Sequence, residues 1–364
     1  MAYRPNNVLV TGGAGFIGTN FVRRLLAEAG TGRVVVYDLL TYAGNPDNLA
    51  GLDADGRFAF VQGDICDETA VAVALEQYQI DTIVHFAAES HVDRSILGPD
   101  EFIRTNVVGT HALLKAAKAR WLGGGSVAEH RFHHVSTDEV YGSLQPSDPP
   151  FREDTPYAPN SPYSASKAGS DHLVRAYHET YGLLTTTTNC SNNYGPYHFP
   201  EKLIPLTIVN ILAGKPLPVY GDGLQIRDWL HVADHCEAIL LALRAGRPGQ
   251  VYNVGGNSET TNIVVVRTLC ELVDERFATS AELRAAFPDA PPARGGRSQE
   301  LIRHVTDRLG HDRRYAVDYA KAAAELGYQP SQDLAAGLRR TVDWYLHHAP
   351  WWQALLRRPV APVR

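Results

Sequence analysis

The chain has 364 residues, 44% of them hydrophobic and 20% charged, and a formal net charge of −6. This is an ordinary globular composition, long enough for one large α/β unit or two domains sharing an interface. The negative balance argues against nucleic acid or an anionic membrane surface as a main partner, and no apolar run is long enough to span a bilayer.

The opening stretch, MAYRPNNVLVTGG, has no apolar signal core and runs directly into a strand-like segment, so a cytoplasmic location is expected. NVLVTGG reads as a strand, FIGTNFVRRLLAEAG as a helix and RVVVYD as the next strand. FAFVQGDI, the helical ETAVAVALEQYQ and the strand DTIVHFAA follow, then a helix over EFIRTNVVGTHALLKAAKA and the strand HRFHHVS. Short apolar strands alternating with helices predict a Rossmann-like, doubly wound parallel sheet covered on both faces. Beyond Asn189 the texture changes to loops rich in Pro, Gly and aromatics, the usual carriers of binding function. DWLHVADHCEAILLALRAG reads as a return to the helical layer and GQVYNVGG as a short strand; the remainder reads as a smaller mixed α/β domain. The stretch from Ala278 to Arg297, rich in Ala, Pro, Gly and Arg, is expected to be mobile. Cys66, Cys190, Cys236 and Cys270 form no CxxC pair, so buried free thiols are expected rather than disulfides or a metal site.

Three segments carry chemistry. In VLVTGGAGFIG, Gly12, Gly15 and Gly18 allow a tight strand-to-helix turn, and the helix start can face a pyrophosphate. A tight turn without a ligand is the alternative. Asp38 ends the second strand about 20 residues on, where an acid accepts from ribose hydroxyls and repels a 2′-phosphate, favouring NAD over NADP. Asp64 is a candidate for the adenine edge or, equally, a helix cap. Ala87 and Ala88 are small enough for a cofactor to lie against the backbone.

In SPYSASKAGSDHLV, Tyr163 and Lys167 share one helix face, with Ser161 and Pro162 as the start. An ammonium near the phenol would lower its pKa and make it a base near neutral pH; a surface pair is the alternative. STDEVYG puts Thr137, Asp138 and Glu139 at the mouth of a strand. Two adjacent acids form either a solvated turn or an acid and a base with separated titrations.

Taken together, TGGAGFIG, Asp38 and YSASK resemble the extended short-chain dehydrogenase/reductase family. DLLTYAGNPDNL, FAAESHVDRSI, HVSTDEVYG, NCSNNYGPYHFPEKLIPL, QIRDWLHVADH and HVTDRLGHDRRYAVD resemble, in order, the motif set of its dTDP-glucose 4,6-dehydratases. That resemblance runs from about residue 7 to residue 345. It implies NAD as cofactor, dTDP-glucose as substrate and a homodimer. It also implies a catalytic set of Thr137, Asp138, Glu139, Tyr163 and Lys167. The implied cofactor site comprises Gly12, Gly15, Phe16, Ile17, Gly18, Asp38, Leu39, Thr41, Asp64, Ile65, Ala87, Ala88, Ser90, Thr105, Asn193, Tyr163 and Lys167. The implied substrate site comprises Ser90, Thr137, Asn192, Lys202, Leu203, Pro218, Tyr220, Arg227, Asn262, Arg308, His311 and Tyr315. No metal is implied. Arg227 and Arg308 could chelate phosphate oxygens, and Tyr220 could pack against a flat base.

The expected boundaries are 1–190 plus 228–257 for NAD binding and 191–227 plus 258–364 for the nucleotide sugar. Asn189, Leu309 and His231 depart from residues common in the family, and the stretch from 275 to 300 is longer than usual. Helices over 101–118 and 163–180 are candidates for the dimer interface or for ordinary packing on the sheet. A nucleotide-sugar 4-epimerase or decarboxylase shares the scaffold, but an epimerase needs no elimination acid and base, so TDEVYG favours dehydration. A non-catalytic NAD-binding scaffold would not need Tyr163, Lys167 and both acids together.

Overall fold

A computed structural model describes residues 3–28, 30–123 and 129–358. Its strands are β1 (Asn7–Thr11), β2 (Arg33–Asp38), β3 (Phe58–Gln62), β4 (Thr82–His85), β5 (Arg131–Thr137), β6 (Thr185–Cys190), β7 (Asn192–Tyr194), β8 (Leu217–Tyr220), β9 (Ile226–His231), β10 (Val251–Val254), β11 (Glu259–Thr261) and β12 (Ile302–Val305). Seven strands form one sheet in the order β10-β6-β5-β4-β1-β2-β3. Every pairing in it is parallel.

The apolar strands are apolar because both faces are covered. Leu9, Val35 and Ile83 pack on one side with Leu113 and Val174. Val8, Val10, Val34 and Val36 pack on the other with Phe21 and Leu240. The two-residue period of a strand produces this division. The strand order reverses between β1 and β4. Connections leave in opposite directions there, opening a crevice at the carboxyl ends of the strands. A second core lies among the helices Leu203–Leu212, Asn262–Thr279 and Leu334–His347. It accompanies a three-stranded sheet, β11-β9-β7, and the pair β12-β8.

Several elements differ from the sequence expectation. The first helix ends at Leu26, and Ala29, within the expected helix, lies outside the described residues. DWLH belongs to β9, and the helix after it begins at Val232. Between residues 101 and 119 the chain is helical, but Ile103–Gly109 is a π-helical stretch. A Cβ on Gly109 would lie 2.6 Å from Ile65 Cδ1, so this turn presses tightly on the loop after β3. Insertions of this kind often accompany functional sites.

The stretch 278–297 is not a loose loop. Ser280 caps the helix Ala281–Ala286, and a 3₁₀ turn covers Pro291–Arg294. Phe287 and Ala290 are buried in the second core, where Phe287 stacks on Trp352 at 6.2 Å. Two apolar anchors hold a segment whose average composition is that of a linker. All four cysteines are free; three are buried, but Cys66 is partly exposed.

Candidate active site

The first turn of the crevice is built by glycine. Gly12 has φ +70°, and a Cβ there would lie 2.7 Å from Ala87 N. A Cβ on Gly18 would lie 2.3 Å from Gly12 O, so strand and helix meet backbone to backbone. Gly15 precedes the helix Phe16–Leu26 and offers no capping side chain, leaving the leading N–H groups for a bound anion. Asp38 is buried; its Oδ2 accepts from Ala14 N–H at 2.9 Å and its Oδ1 from Leu40 N–H at 2.8 Å. Burial pushes its pKa up, and the two N–H groups oppose that. This loop fits a dinucleotide: a Cβ-free cradle, an open helix start and a carboxylate at the second strand's end.

Asp64 does not cap a helix, since Asp67 caps Glu68–Gln77 by accepting from Ala70 N–H. Asp64 instead accepts from Cys66 N–H at 2.8 Å and pairs with Arg104 at 2.6 Å. Partial burial raises its pKa, but the Cys66 N–H and Arg104 prevail and hold it below the usual range.

The acids stand where β5 ends. Thr137 Oγ1 accepts from Glu139 N–H at 3.3 Å, and the chain turns into a short 3₁₀ helix, Asp138–Tyr141. That turn sends the two carboxyls into different surroundings. Asp138 is buried, its Oδ2 has no hydrogen-bond partner, and its pKa is driven well up by burial, Glu139 and Asp228. Glu139 is only partly buried. Its pKa is also raised by burial, but Arg227 and Lys202 pull it back. The surroundings therefore favour the protonated form at Asp138, while at Glu139 two cations oppose it.

Tyr163 and Lys167 lie in the helix Pro162–Tyr181, which Ser161 and Ser164 start with a reciprocal capping box. Tyr163 departs from expectation. Burial, Glu139 and Cys190 push its phenol well up, against a smaller pull from Thr137. Lys167 Nζ donates instead to Val135 O at 2.8 Å, towards the sheet.

The smaller unit supplies the cationic end. Arg227 on β9 is held through the carbonyls of Ile226 (2.8 Å) and Asp312 (2.9 Å) and lies 4.2 Å over the Tyr315 ring. Lys202 donates to Ser90 O at 2.9 Å. Arg308, read from sequence as a phosphate fork, already grips Asp93 twice and lies 5.1 Å over the Tyr220 ring. One face of that ring is thus occupied. His311 pairs with Asp307 at 2.6 Å. Asn192 and Asn262 line the cavity, and the Oδ1 of each is buried without a hydrogen-bond partner. His235 Nδ1 lies 2.9 Å from Asn193 Oδ1 and orients that side chain.

All the candidate residues line one cavity of about 490 Å³: Phe16, Ile17, Leu39, Thr41, Ile65, Ala88, Thr105, Leu203 and Pro218 stand in its wall with those already described. The sequence reading missed Glu89, His91, Asp93 and Glu201, which also line it. FAAESHVD held three of them, but nothing in its spacing showed that Asp93 meets Arg308. The departures from family pattern have local partners. Asn189 donates to the hydroxyls of Tyr141 and Tyr157, and His231 caps the helix Val232–Ala245. Leu309 is exposed.

Residues 9–341 match the family model described as GDP-mannose 4,6 dehydratase. A dTDP-glucose 4,6-dehydratase of Xanthomonas campestris pv. campestris (strain B100) is 57% identical over 350 residues, covering 96% of this chain and 95% of that protein. A double mutant of the Streptomyces venezuelae dTDP-glucose 4,6-dehydratase, solved with NAD bound, is 48% identical with a TM-score of 0.85, covering 96% of this chain and 99% of the other. The UDP-glucose 4-epimerase of Thermotoga maritima shares the fold at 27% identity and a TM-score of 0.78, covering 93% and 98%. The glycine turn, the Tyr-Lys helix and the paired acids thus sit in a chain that matches its relatives almost end to end, and this chain belongs to the dTDP-glucose 4,6-dehydratase family.

Proposed function

We propose that the chain is an NAD-dependent dTDP-glucose 4,6-dehydratase, converting dTDP-glucose to dTDP-4-keto-6-deoxyglucose and water. The observation that carries this reading is the asymmetry of Asp138 and Glu139: adjacent acids lining one cavity, the first buried beside other carboxylates, the second partly exposed and opposed by Arg227 and Lys202. Epimerisation at C4 has no use for such a pair; elimination across C5 and C6 needs both.

Tyr163 would accept the C4 hydroxyl proton as a phenolate, a form that its apolar, acidic surroundings disfavour and that a positive charge brought by the bound cofactor would favour, with Thr137 orienting that oxygen. NAD, when bound, supplies a hydride acceptor at C4, a hydride donor at C6 and a positive charge in the cavity. A ketone at C4 acidifies the C5 proton, which Glu139 removes as a carboxylate. Hydroxide is a poor leaving group, so Asp138 gives its proton to the C6 oxygen as the bond breaks. C5 is then reprotonated. Gly12, Gly15, Gly18 and Asp38 would hold the dinucleotide, with Phe16, Ile17, Leu39, Thr41, Asp64, Ile65, Ala87, Ala88, Ser90, Thr105 and Asn193 around it. Arg227, Arg308 and Lys202 would hold the diphosphate; Asn192, Leu203, Pro218, Tyr220, Asn262, His311 and Tyr315 would line the sugar and nucleoside.

The NAD-binding unit is assigned to 1–190 plus 228–257 and the nucleotide-sugar unit to the rest. The working state is a cytoplasmic homodimer joined through the helices over 101–118 and 163–180; Ile103 and Val108, 47% and 51% exposed, are apolar surface that such a contact would cover. Among the described residues no helix is long and apolar enough to cross a membrane. Offering dTDP-glucose and UDP-glucose in turn, with product mass as readout, tests the reading. Loss of one water from the thymidine nucleotide is expected; no mass change, or loss of carbon dioxide from a uronic acid analogue, would favour the epimerase or decarboxylase.

A further inference from the structure

The helix Ala349–Arg357 belongs to the second core, where its Trp352 is buried, yet the neighbouring Trp351 reaches the dinucleotide unit. Trp351 Nε1 donates to Asn48 Oδ1 at 2.8 Å, across 303 residues of chain. Asn48 is buried and stands outside the cavity wall. Its Nδ2 donates to Ala14 O at 2.8 Å, inside the glycine turn. Its own carbonyl accepts from Thr19 Oγ1 at 2.9 Å and from Arg23 Nη2 at 2.7 Å, both on the helix that follows the turn. Ala14 N–H in turn donates to Asp38 Oδ2 at 2.9 Å. An unbroken chain of hydrogen bonds thus runs from Trp351 through Asn48 and Ala14 to Asp38.

Chemistry fixes the direction of this chain. An indole N–H can only donate, so it faces the Asn48 oxygen and leaves the amide nitrogen for the Ala14 carbonyl. A reversed amide would set oxygen against oxygen at Ala14 and nitrogen against N–H at Trp351. Asn45 Nδ2 donates to the same Oδ1 from farther away, 3.2 Å.

A second contact holds the same turn. Phe16, Asn20 and Arg23 share one helix face, and all three meet the segment 196–198. Phe16 stacks on His198 at 4.0 Å, Asn20 Nδ2 donates to Pro196 O at 3.0 Å, and Arg23 lies 5.2 Å over the Tyr197 ring. Tyr197 packs against Trp344 and Trp351, with ring centroids 4.9 and 6.0 Å away, and Tyr345 OH donates to His198 O. Tyr197 has φ +66°, a left-handed backbone that a bulky residue keeps only where its surroundings impose it. The exposed pair of Arg358 and Asp47, at 3.2 Å, adds little.

We propose that Trp351 and Asn48 are positioning residues for the cofactor: the indole of the smaller unit fixes the Asn48 amide, Asn48 holds the Ala14 carbonyl and the first helix, and the turn so held retains NAD. The proposal rests on NAD as the resident dinucleotide, as read above, and not on which sugar is dehydrated. Retention has a chemical purpose, since a cofactor that takes hydride at C4 and returns it at C6 must not leave between the two steps. Ordinary packing of an aromatic cluster would make Trp344 and Trp351 equivalent, because their rings touch each other at 5.0 Å and both touch Tyr197. Trp351 adds the bond to Asn48.

The test compares Trp351→Phe, which keeps a ring and removes the N–H, with Trp344→Phe, which thins the same cluster and leaves Asn48 its donor. Each holoenzyme is loaded with radiolabelled NAD and diluted into excess unlabelled NAD, and release is timed. Thymidine diphosphate affinity is measured by calorimetry on the same preparations. Trp351→Phe should release NAD about fivefold faster than wild type, the net worth of one hydrogen bond, with thymidine diphosphate affinity within about twofold. Trp344→Phe should release NAD at the wild-type rate. Asn48→Ala should release it faster still, and adding Trp351→Phe to it should change nothing further, because the chain is already cut at its middle. Equal release from wild type and Trp351→Phe, or equal acceleration by both tryptophan variants, would overturn the proposal. Should Asn48→Ala fail to fold, the two tryptophan variants decide alone. Wild-type protein that retains NAD but does not dehydrate dTDP-glucose contradicts the dehydratase reading alone; wild-type protein that holds no NAD contradicts both.

Discussion

Arg308 holds Asp93 through two parallel bonds, Nε to Oδ1 at 2.5 Å and Nη2 to Oδ2 at 2.9 Å, while Tyr220 OH donates to the same carboxylate at 3.2 Å. The guanidinium is thus fixed in plane at the cationic end of the cavity before any phosphate meets it. Lysine would keep the charge and lose the fork. Arg308→Lys should raise KM for dTDP-glucose by about ten- to a hundredfold, the worth of a charge-assisted hydrogen bond, and leave kcat within about twofold. Steady-state kinetics check this; a fall in kcat at unchanged KM would move Arg308 away from substrate binding.

Asp38 makes a second prediction. Its carboxylate takes two backbone N–H groups and remains the acid at the end of β2. Asp38→Asn should weaken NAD binding about tenfold and narrow the preference over NADP, because the charge that repels a 2′-phosphate is gone. Titration calorimetry with both cofactors measures the two affinities; an unchanged ratio would contradict the assignment.

Phe287 tests the ordering of 278–297. The ring is buried between Phe277 and Trp352. Phe287→Ala should cost about 3–5 kcal/mol in urea unfolding. A cost near zero would mean that the segment is as loose as its composition suggests.

Acid stability has a sign that can be worked out. His133 sits between Thr186 Oγ1 at 2.9 Å and Thr188 Oγ1 at 3.2 Å, and burial, His134 and His235 lower it to about 3. Its folded pKa lies below its unfolded value, so its contribution is present above about 6.5 and is lost as pH falls towards about 3. Asp171 and Glu89, raised by burial to about 6, act in the opposite direction, so the net slope mixes both. A difference isolates the histidine. The stability deficit of His133→Asn relative to wild type should be about 2 kcal/mol smaller at about pH 5 than at about pH 8. An equal deficit at both values would show that His133 is not held neutral.

The sheet was legible because Val34–Tyr37 and Val8–Val10 are apolar on both faces, a pattern that turns and helices do not share. β6 was not singled out, because TTTTNC is polar; its threonines are buried against β5, and only the fold shows that His133 is their partner. The glycine turn was readable from spacing, since a Cβ at Gly12 or Gly18 has nowhere to go. Tyr163 and Lys167 were readable as one helix face, but not the direction of Nζ, which a backbone carbonyl 32 residues away decides. The Arg308–Asp93 pair joins residues 215 apart, and no local pattern carries such information. Phe287 was hidden by averaging, one anchor in a stretch otherwise typical of linkers.

The central claim is that Asp138 is the acid and Glu139 the base of one elimination. It is tested most directly by product mass from the double variant Asp138→Asn, Glu139→Gln, with NAD content measured alongside. The account predicts retained NAD and dehydration slowed by at least about 10²-fold, the usual contribution of general acid–base groups. Dehydration of dTDP-glucose at the wild-type rate by the double variant would contradict it.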